Sequence, residues 1–242
     1  MTIKHNLRKL VNKFGLDIIR INQSPQLTML GLSNLNIHTI IDCGANKGQF
    51  AKLSSDLFPS AKLFCFEPIE EAFEELNLWA KTQNKRVHCF KLALGDEEGE
   101  IEMHQHDEHS QSSSILTTTS HAHQIYPQTK KQSIHTVRLS TLDNVLSSYL
   151  SEMSQNILLK LDVQGYEDRV LAGGVGILKK ASACILEVSN DSLYVGQADF
   201  YQLTSFLYEM NYIYAGNLDQ IYGPDGRVIF FDALYIKKDA RR

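Results

Sequence analysis

Apolar residues fall into two patterns along the chain, short continuous runs and longer stretches in which they recur at helical spacing. The runs are Thr39-Ile40-Ile41-Asp42-Cys43, Lys62-Leu63-Phe64-Cys65-Phe66, Arg86-Val87-His88-Cys89-Phe90-Lys91-Leu92, Ile157-Leu158-Leu159-Lys160-Leu161 and Ala183-Cys184-Ile185-Leu186-Glu187-Val188. They read as buried strands, and helical patterns over 49–57, 70–81 and 167–171 lie between them. Strands alternating with helices of this length predict βαβ units and a parallel sheet. Further helices are expected over 143–150 and 199–210, the latter with Phe200, Leu203, Leu207 and Met210 on one face. A turn is expected at 95–99, a short edge strand at 100–104, and two closing strands near 212–215 and 228–236, joined through Gly223-Pro224-Asp225-Gly226.

Two regions depart from this alternation. Over residues 3–21, Leu7, Leu10, Val11, Phe14 and Ile18 recur at helical spacing with Lys4, Arg8, Lys9, Lys13 and Arg20 between them, a basic amphipathic helix interrupted at Gly15. The expectation is that it packs on its own core; an anionic membrane surface or a second subunit are the other partners its pattern suits. Between His104 and His135 periodicity fails, and His104, His106, His109, His121, His123 and His135 cluster with Asp107 and Glu108. This reads as a long surface loop or a pair of short strands, with functional placement as a lid or binding segment. Its histidines are expected to be solvated, with no physiological metal, while the hydroxyls of Ser112-Ser113-Ser114 suit the lining of a cofactor or acceptor site.

A chain of 242 residues with 43% hydrophobic and 21% charged content can bury one substantial core. The expected division is a helical extension over 1–37 and one domain over 38–242, with a polar insertion at about 104–136. A net charge of −4 argues against nucleic acid as a partner. Cys43, Cys65, Cys89 and Cys184 sit in apolar runs without close pairing, as reduced thiols of a cytoplasmic protein would. No apolar stretch is long enough to suggest a transmembrane segment.

The densest chemical signal is Asp42-Cys43-Gly44-Ala45-Asn46-Lys47-Gly48-Gln49-Phe50, a strand end, a glycine turn and a helix start. The spacing is G-x-x-x-G, neither the G-x-G-x-x-G of dinucleotide sites nor a P-loop, which disfavours a pyrophosphate ligand and a nicotinamide oxidoreductase. Asp42 ends this strand, and Glu67 ends the next, about 20 residues beyond the glycines, where an acid meets ribose hydroxyls in βαβ nucleotide sites. A cation with an adenosine group, S-adenosylmethionine, matches both acids. A plain βαβ unit whose glycines serve packing and whose acids cap helices matches the motif alone equally well.

Two further acids, Asp162 and Glu187, fall at strand ends, where open α/β sheets bind ligands. Asp162 is the principal catalytic candidate, since a carboxylate can contact the methionyl end of a cofactor and take or orient the proton of an attacking hydroxyl. Glu187 is its weaker neighbour, with Asn190 and Asp191 close behind; Asp162, Glu187 and Asn190 could instead hold Mg²⁺, although that ligand set is thin. The structural alternative is that Asp162 caps the following helix while Lys160 pairs with a surface acid. Most of the tyrosines of the C-terminal third, Tyr194, Tyr201, Tyr208, Tyr212, Tyr214 and Tyr222, are expected in core packing.

These segments, with Phe66-Glu67-Pro68, Ala93-Leu94-Gly95-Asp96, Leu139-Ser140-Thr141-Leu142-Asp143, Leu159-Lys160-Leu161-Asp162-Val163-Gln164-Gly165-Tyr166-Glu167, Leu186-Glu187-Val188-Ser189 and Asp232-Ala233-Leu234-Tyr235, resemble the FkbM family of S-adenosylmethionine-dependent methyltransferases over about residues 38–238. The resemblance implies an α/β Rossmann-like methyltransferase fold, a mostly parallel seven-stranded sheet with an antiparallel final strand and helices on both faces. It implies O-methylation of a saccharide, glycan or natural-product acceptor. Asp42, Gly44, Asn46, Gly48 and Phe50 match its cofactor loop, in which Ala45 and Gln49 also lie; Glu67, followed by Pro68, matches its ribose contact and Leu94 its adenine region. Gln164 stands where the family often has an acid, which leaves Asp162 the better catalytic candidate. A degenerate module that binds or scaffolds without catalysis remains the competing reading.

Overall fold

A computed structural model describes residues 3–18, 20–106, 110–154 and 156–241. Seven strands form the main sheet: β1 (Thr39–Cys43), β2 (Lys62–Phe66), β3 (Val87–Phe90), then, after three strands of a smaller sheet, β7 (Ile157–Leu161), β8 (Ala181–Ser189), β9 (Tyr212–Tyr222) and β10 (Val228–Lys237). The smaller sheet holds β4 (Ala93–Gly95), β5 (Gly99–His106) and β6 (Gln132–Thr141) in the order β4-β6-β5. Across the main sheet the order is β3-β2-β1-β7-β8-β10-β9. Strands β1, β2, β3, β7 and β8 pair in parallel, and β10 pairs antiparallel with both its neighbours. The order reverses between β1 and β7, the topological switch point at which such sheets open a crevice.

The central strands are mostly apolar because both faces of the sheet are covered, with Asp42 in β1 and Lys160 in β7 the buried charges among them. Alternate residues divide between two cores: Ile41, Cys43, Phe64, Phe66, Leu159 and Leu161 on one face, Ile40, Leu63, Cys65, Leu158 and Ile185 on the other. The helix Gln49–Leu57 buries Ala51, Ser54 and Ser55, and Glu70–Ala80 buries Ala72, Leu76 and Ala80. The helix Phe200–Glu209 starts on a capping box of Asp199 and Gln202 and buries Leu203 and Leu207.

Three expectations need correction. The strand expected over 86–92 ends at Phe90: β3 pairs with β2 over Val87–Phe90, and the next strand, β4, starts beyond the run at Ala93 and pairs with β6 in the smaller sheet. The polar segment is more ordered than its composition suggests: β5 and β6 reach from Gly99 and back to Thr141, and between them lie the helix Ser120–Ile125, capped by Thr119, and short 3₁₀ turns. Both strands are largely solvated, so few apolar positions mark them. Asp107, Glu108 and His109 lie outside the described residues. The other histidines disperse, His121 to Asp191 at 2.9 Å, His123 to Thr118 at 2.8 Å and His135 to Ser133 at 3.0 Å. Finally, the first helix, Ile3–Asn12, does not dock on the core; Leu7, Leu10 and Phe14 stay exposed, and Met29, Leu32 and Ile37 fill the core in its place. Among the described residues no helix is long and apolar enough to cross a membrane.

Candidate functional site

A cavity of about 640 Å³ opens at the carboxyl ends of the parallel strands. Its lining includes Gly44, Ala45, Asn46, Gln49 and Phe50 from the turn after β1, Glu67 and Pro68 after β2, Leu94 from β4, Asp162 after β7 and Glu187 in β8. Ser110 to Ser113 of the insertion close one side, and Asp219 and Asp232 from β9 and β10 another. Two sequence candidates, Asp42 and Gly48, are not part of the lining.

The turn after β1 is fixed mainly by protein contacts. The N–H groups of Gly44 and Ala45 donate to the Phe66 carbonyl at 3.0 and 2.9 Å. Gly44 has φ +80°, and a Cβ there would stand 1.9 Å from the Asp162 carbonyl oxygen, so the glycine lets two backbones touch. Gly48, at φ +84°, precedes the helix Gln49–Leu57, and its Cβ would meet Leu76 at 2.9 Å. The Asn46 N–H donates to Glu67 Oε2 at 2.8 Å and the Ile69 N–H to Oε1 at 2.9 Å. Burial pushes the Glu67 carboxyl up to about 7 against the pull of those two amides. Asp42 lies beneath the turn, wholly buried, with neither oxygen in a hydrogen bond of ordinary geometry. Burial raises it to about 6, the Lys160 charge opposing.

At the end of β7 the polar groups face the cavity and link to one another. Lys160 and Asp162 are two residues apart and share a face, and Lys160 Nζ donates to Asp162 Oδ2 at 2.7 Å. The ammonium also stands 5.3 Å from the Phe50 ring centre. Burial works against its charge, but Asp162, Asp42 and Asp232 outweigh burial and hold it above the ordinary lysine range. Gln164, at φ +56°, donates from Nε2 to Asp162 Oδ1 at 2.9 Å and to Glu187 Oε1 at 2.7 Å. Its Oε1 accepts from the Tyr194 hydroxyl at 2.6 Å, and that hydroxyl is also 3.0 Å from the Ser112 carbonyl oxygen. Ser114 donates to the Gln164 carbonyl at 2.7 Å, which ties the insertion to the loop after β7. Burial raises Glu187 well above the usual carboxylate range, with Asp162 and Glu167 adding to it.

The helix Glu167–Ala172 has no side-chain cap; its first residue, Glu167, accepts from the Val163 N–H of the preceding loop at 3.0 Å, and the cation paired with Asp162 is the buried Lys160. Asn190 donates its amide to the Val228 carbonyl and does not line the cavity, so the oxygen set Asp162, Glu187 and Asn190 is not assembled there. Among the described residues no three acids, histidines or cysteines group as metal ligands. Sequence reasoning missed Lys160, Tyr194, Asp219 and Asp232 as site residues. A lysine inside an apolar run two positions before an acid, and an acid inside Phe230-Phe231-Asp232-Ala233-Leu234, were the signals for two of them.

A model of the methyltransferase FkbM domain matches residues 42–214. The 2-O-methyltransferase NoeI of Sinorhizobium fredii (strain NBRC 101917 / NGR234) is 31% identical over 164 residues, which are 65% of this chain and 66% of that protein. Among solved structures, methyltransferase FkbM from Methylobacillus flagellatus KT superposes with a TM-score of 0.52 at 13% identity, covering 83% of this chain and 44% of that one. The METTL16 methyltransferase domain does so with a TM-score of 0.50 at 10% identity, covering 94% and 75%. The chain therefore spans just under two thirds of the curated relative and less than half of the first of these structures. The structures establish a Rossmann-like methyltransferase fold, and the domain match, which runs from the end of β1 into β9, establishes that the chain belongs to the FkbM family of methyltransferases.

Proposed function

We propose that this protein is an S-adenosylmethionine-dependent O-methyltransferase whose acceptor is a hydroxyl of a saccharide, glycan or related small molecule. The observation that carries the reading is the chain Lys160–Asp162–Gln164–Glu187, which opens on the same cavity as Glu67. The cavity suits the cofactor: acids predominate over the buried cation Lys160, and apolar Phe66, Leu92, Leu94 and Met103 line it together with the buried Glu67. Glu67 would hold the ribose hydroxyls through the lone pairs its two amides leave free, Leu94 would cover the adenine, and Asp162 would face the cationic methionyl end. Bound there, S-adenosylmethionine supplies a methyl group on a positively charged sulfur.

On this reading the acceptor oxygen would form the new C–O bond as the methyl carbon–sulfur bond breaks, its electron pair leaving on the neutral thioether S-adenosylhomocysteine, and the hydroxyl proton would pass to Glu187. That carboxylate is more basic than an ordinary one and its Oε1 is fixed by Gln164, which suits it to the task. Asp162, held on both oxygens, orients the hydroxyl and favours the charge distribution at the sulfonium. NoeI, a 2-O-methyltransferase, supports oxygen as the methylated atom, and the free cysteines fit a reducing, cytoplasmic setting.

The test uses the whole chain with methyl-labelled S-adenosylmethionine and a panel of saccharides, with and without chelator, alongside calorimetry of cofactor binding. Labelled O-methyl ether is expected, and Glu187→Gln should slow transfer roughly 10²- to 10⁴-fold while keeping cofactor affinity. Label recovered on an amine, or no affinity for S-adenosylmethionine, refutes the assignment.

A further inference from the structure

Residues 7–18 belong to a unit that the rest of the chain leaves largely uncovered. The helix Ile3–Asn12 enters a turn at Gly15, φ +72°; there the Leu16 N–H returns to the Val11 carbonyl at 3.2 Å, and Asp17 closes the return by a two-pronged ion pair with Arg8. On this closed unit Leu7 is 49% exposed, Leu10 54%, Phe14 76% and Leu16 63%, and Ile21 just beyond is 73% exposed. So many large apolar side chains in so short a segment mark an interaction surface.

Charge indicates what covers it. Residues 1–20 hold five cations, Lys4, Arg8, Lys9, Lys13 and Arg20, against one acid, Asp17, whereas the whole chain carries −4, so the remainder is strongly acidic. Among the described residues Lys9, Lys13 and Arg20 make no ion pair with that remainder. At 100° per residue Leu7, Leu10 and Phe14 point one way, and Arg8, Lys9 and Lys13 lie on the flank and opposite side.

We propose that this helix and its return lie in the plane of an anionic lipid surface, with Leu7, Leu10, Phe14 and Leu16 in the acyl boundary and the lysines at the headgroups. Apolar insertion combined with basic residues that reach to the headgroup level is the physical basis of interfacial helices. The acidic remainder is repelled by the same surface, which confines contact to this segment and leaves the cavity free. A two-fold contact between copies fits less well, since it would set one cationic segment against another.

Flotation of the whole chain with phosphatidylcholine vesicles, with and without phosphatidylglycerol, tests the proposal independently of any methyl transfer. Recovery is expected with the anionic vesicles only, and it should fall with added salt. Lys9→Gln with Lys13→Gln should weaken partition roughly 30-fold, the worth of two basic residues at such a surface. Phe14→Ser should weaken it roughly tenfold. Both variants should unfold at the wild-type temperature, since these side chains are exposed. Equal recovery with neutral vesicles, or none with either, overturns the proposal; so does a dimer in light scattering that Phe14→Ser abolishes without any vesicle recovery.

Discussion

The turns after β1 and β7 lie side by side, touch backbone to backbone at Gly44 and Asp162, and follow strands of the same length, yet they put their acids to opposite uses. Sheet register gives the reason. Cys43 is level with Phe66 and with Leu161, and Leu161 with Leu186, so Gly44, Glu67 and Asp162 stand one step beyond their strands, level with Glu187, which β8 carries on into its pairing with Asp232 of β10 at the cavity. Asp42 is level with Lys160, two positions lower, inside the sheet. An acid at a strand end thus serves the cavity or the core according to a shift of two residues. Asp42 supplies negative charge level with Lys160, inside the sheet, whereas Asp162 presents it to the cavity.

The most damaging way to break this pairing is to force the two turns apart. Gly44→Ala places a Cβ 1.9 Å from the Asp162 carbonyl and does so at φ +80°, with backbone on both sides and no flexible side chain to yield. A loss of about 3–5 kcal/mol in chemical denaturation is expected, with cofactor affinity falling in parallel. Gly48→Ala meets only the end of Leu76 and should cost about 1–2 kcal/mol. Equal costs for the two would show that the contact between the turns is not what demands glycine at position 44.

Next in size is Asp162→Asn, which retains shape but removes the charge facing the cavity. Methyl transfer should fall roughly 10²-fold or more, while calorimetry finds S-adenosylmethionine still bound. Lys160 keeps Asp42 and Asp232 nearby, so the fold should survive the loss of one partner. Undiminished turnover in this variant would remove Asp162 from the chemistry.

The matching change at the other turn, Asp42→Asn, should appear in stability against pH. Burial raises the Asp42 carboxyl to about 6 in the folded protein, from about 4 in the unfolded chain. Between those values the folded state holds more protons, so the contribution of Asp42 to stability is largest below about pH 4, declines as pH rises to about 6, and is constant above it. Asparagine does not titrate. The variant should therefore gain on the wild type by on the order of 2 kcal/mol between pH 4 and pH 7 in denaturant titrations. Parallel curves for the two proteins would show that Asp42 is not the group responsible.

The alternating β–α pattern, the two closing strands and three acids at the cavity were legible because each rests on local sequence: an apolar run, a turn, a terminal carboxylate. The depth of Asp42 was not, since it depends on how β1 aligns with its neighbours, which no single run encodes. Likewise, the glycine turn reads in sequence as room for a ligand, whereas much of that room is taken by the loop after β7. β5 and β6 were obscured because a half-solvated strand carries few apolar residues, and Tyr194 because its partner Gln164 lies 30 residues away. Lys160 was visible in hindsight from its spacing to Asp162, once the strand's two faces are separated.

The smallest expected effect sharpens the comparison most, because only the turn after β7 has an amide bridging two carboxylates. Tyr194 fixes that bridge: its hydroxyl donates to Gln164 Oε1, and this orientation directs Nε2 toward both Asp162 and Glu187. Tyr194→Phe leaves a partly buried amide oxygen without its donor, which should cost about 1–2 kcal/mol in stability. If the role were only structural, the change would end there. A freed amide, however, can turn its oxygen toward the two acids, and the loss of the shared donor would raise the Glu187 pKa further through unscreened repulsion from Asp162. Transfer by Tyr194→Phe should then fall only a few-fold at high pH but more steeply toward low pH, its acid limb displaced upward relative to the wild type. A lower unfolding temperature with an unmoved acid limb would confine Tyr194 to packing and leave the two carboxylates without a common anchor in the insertion.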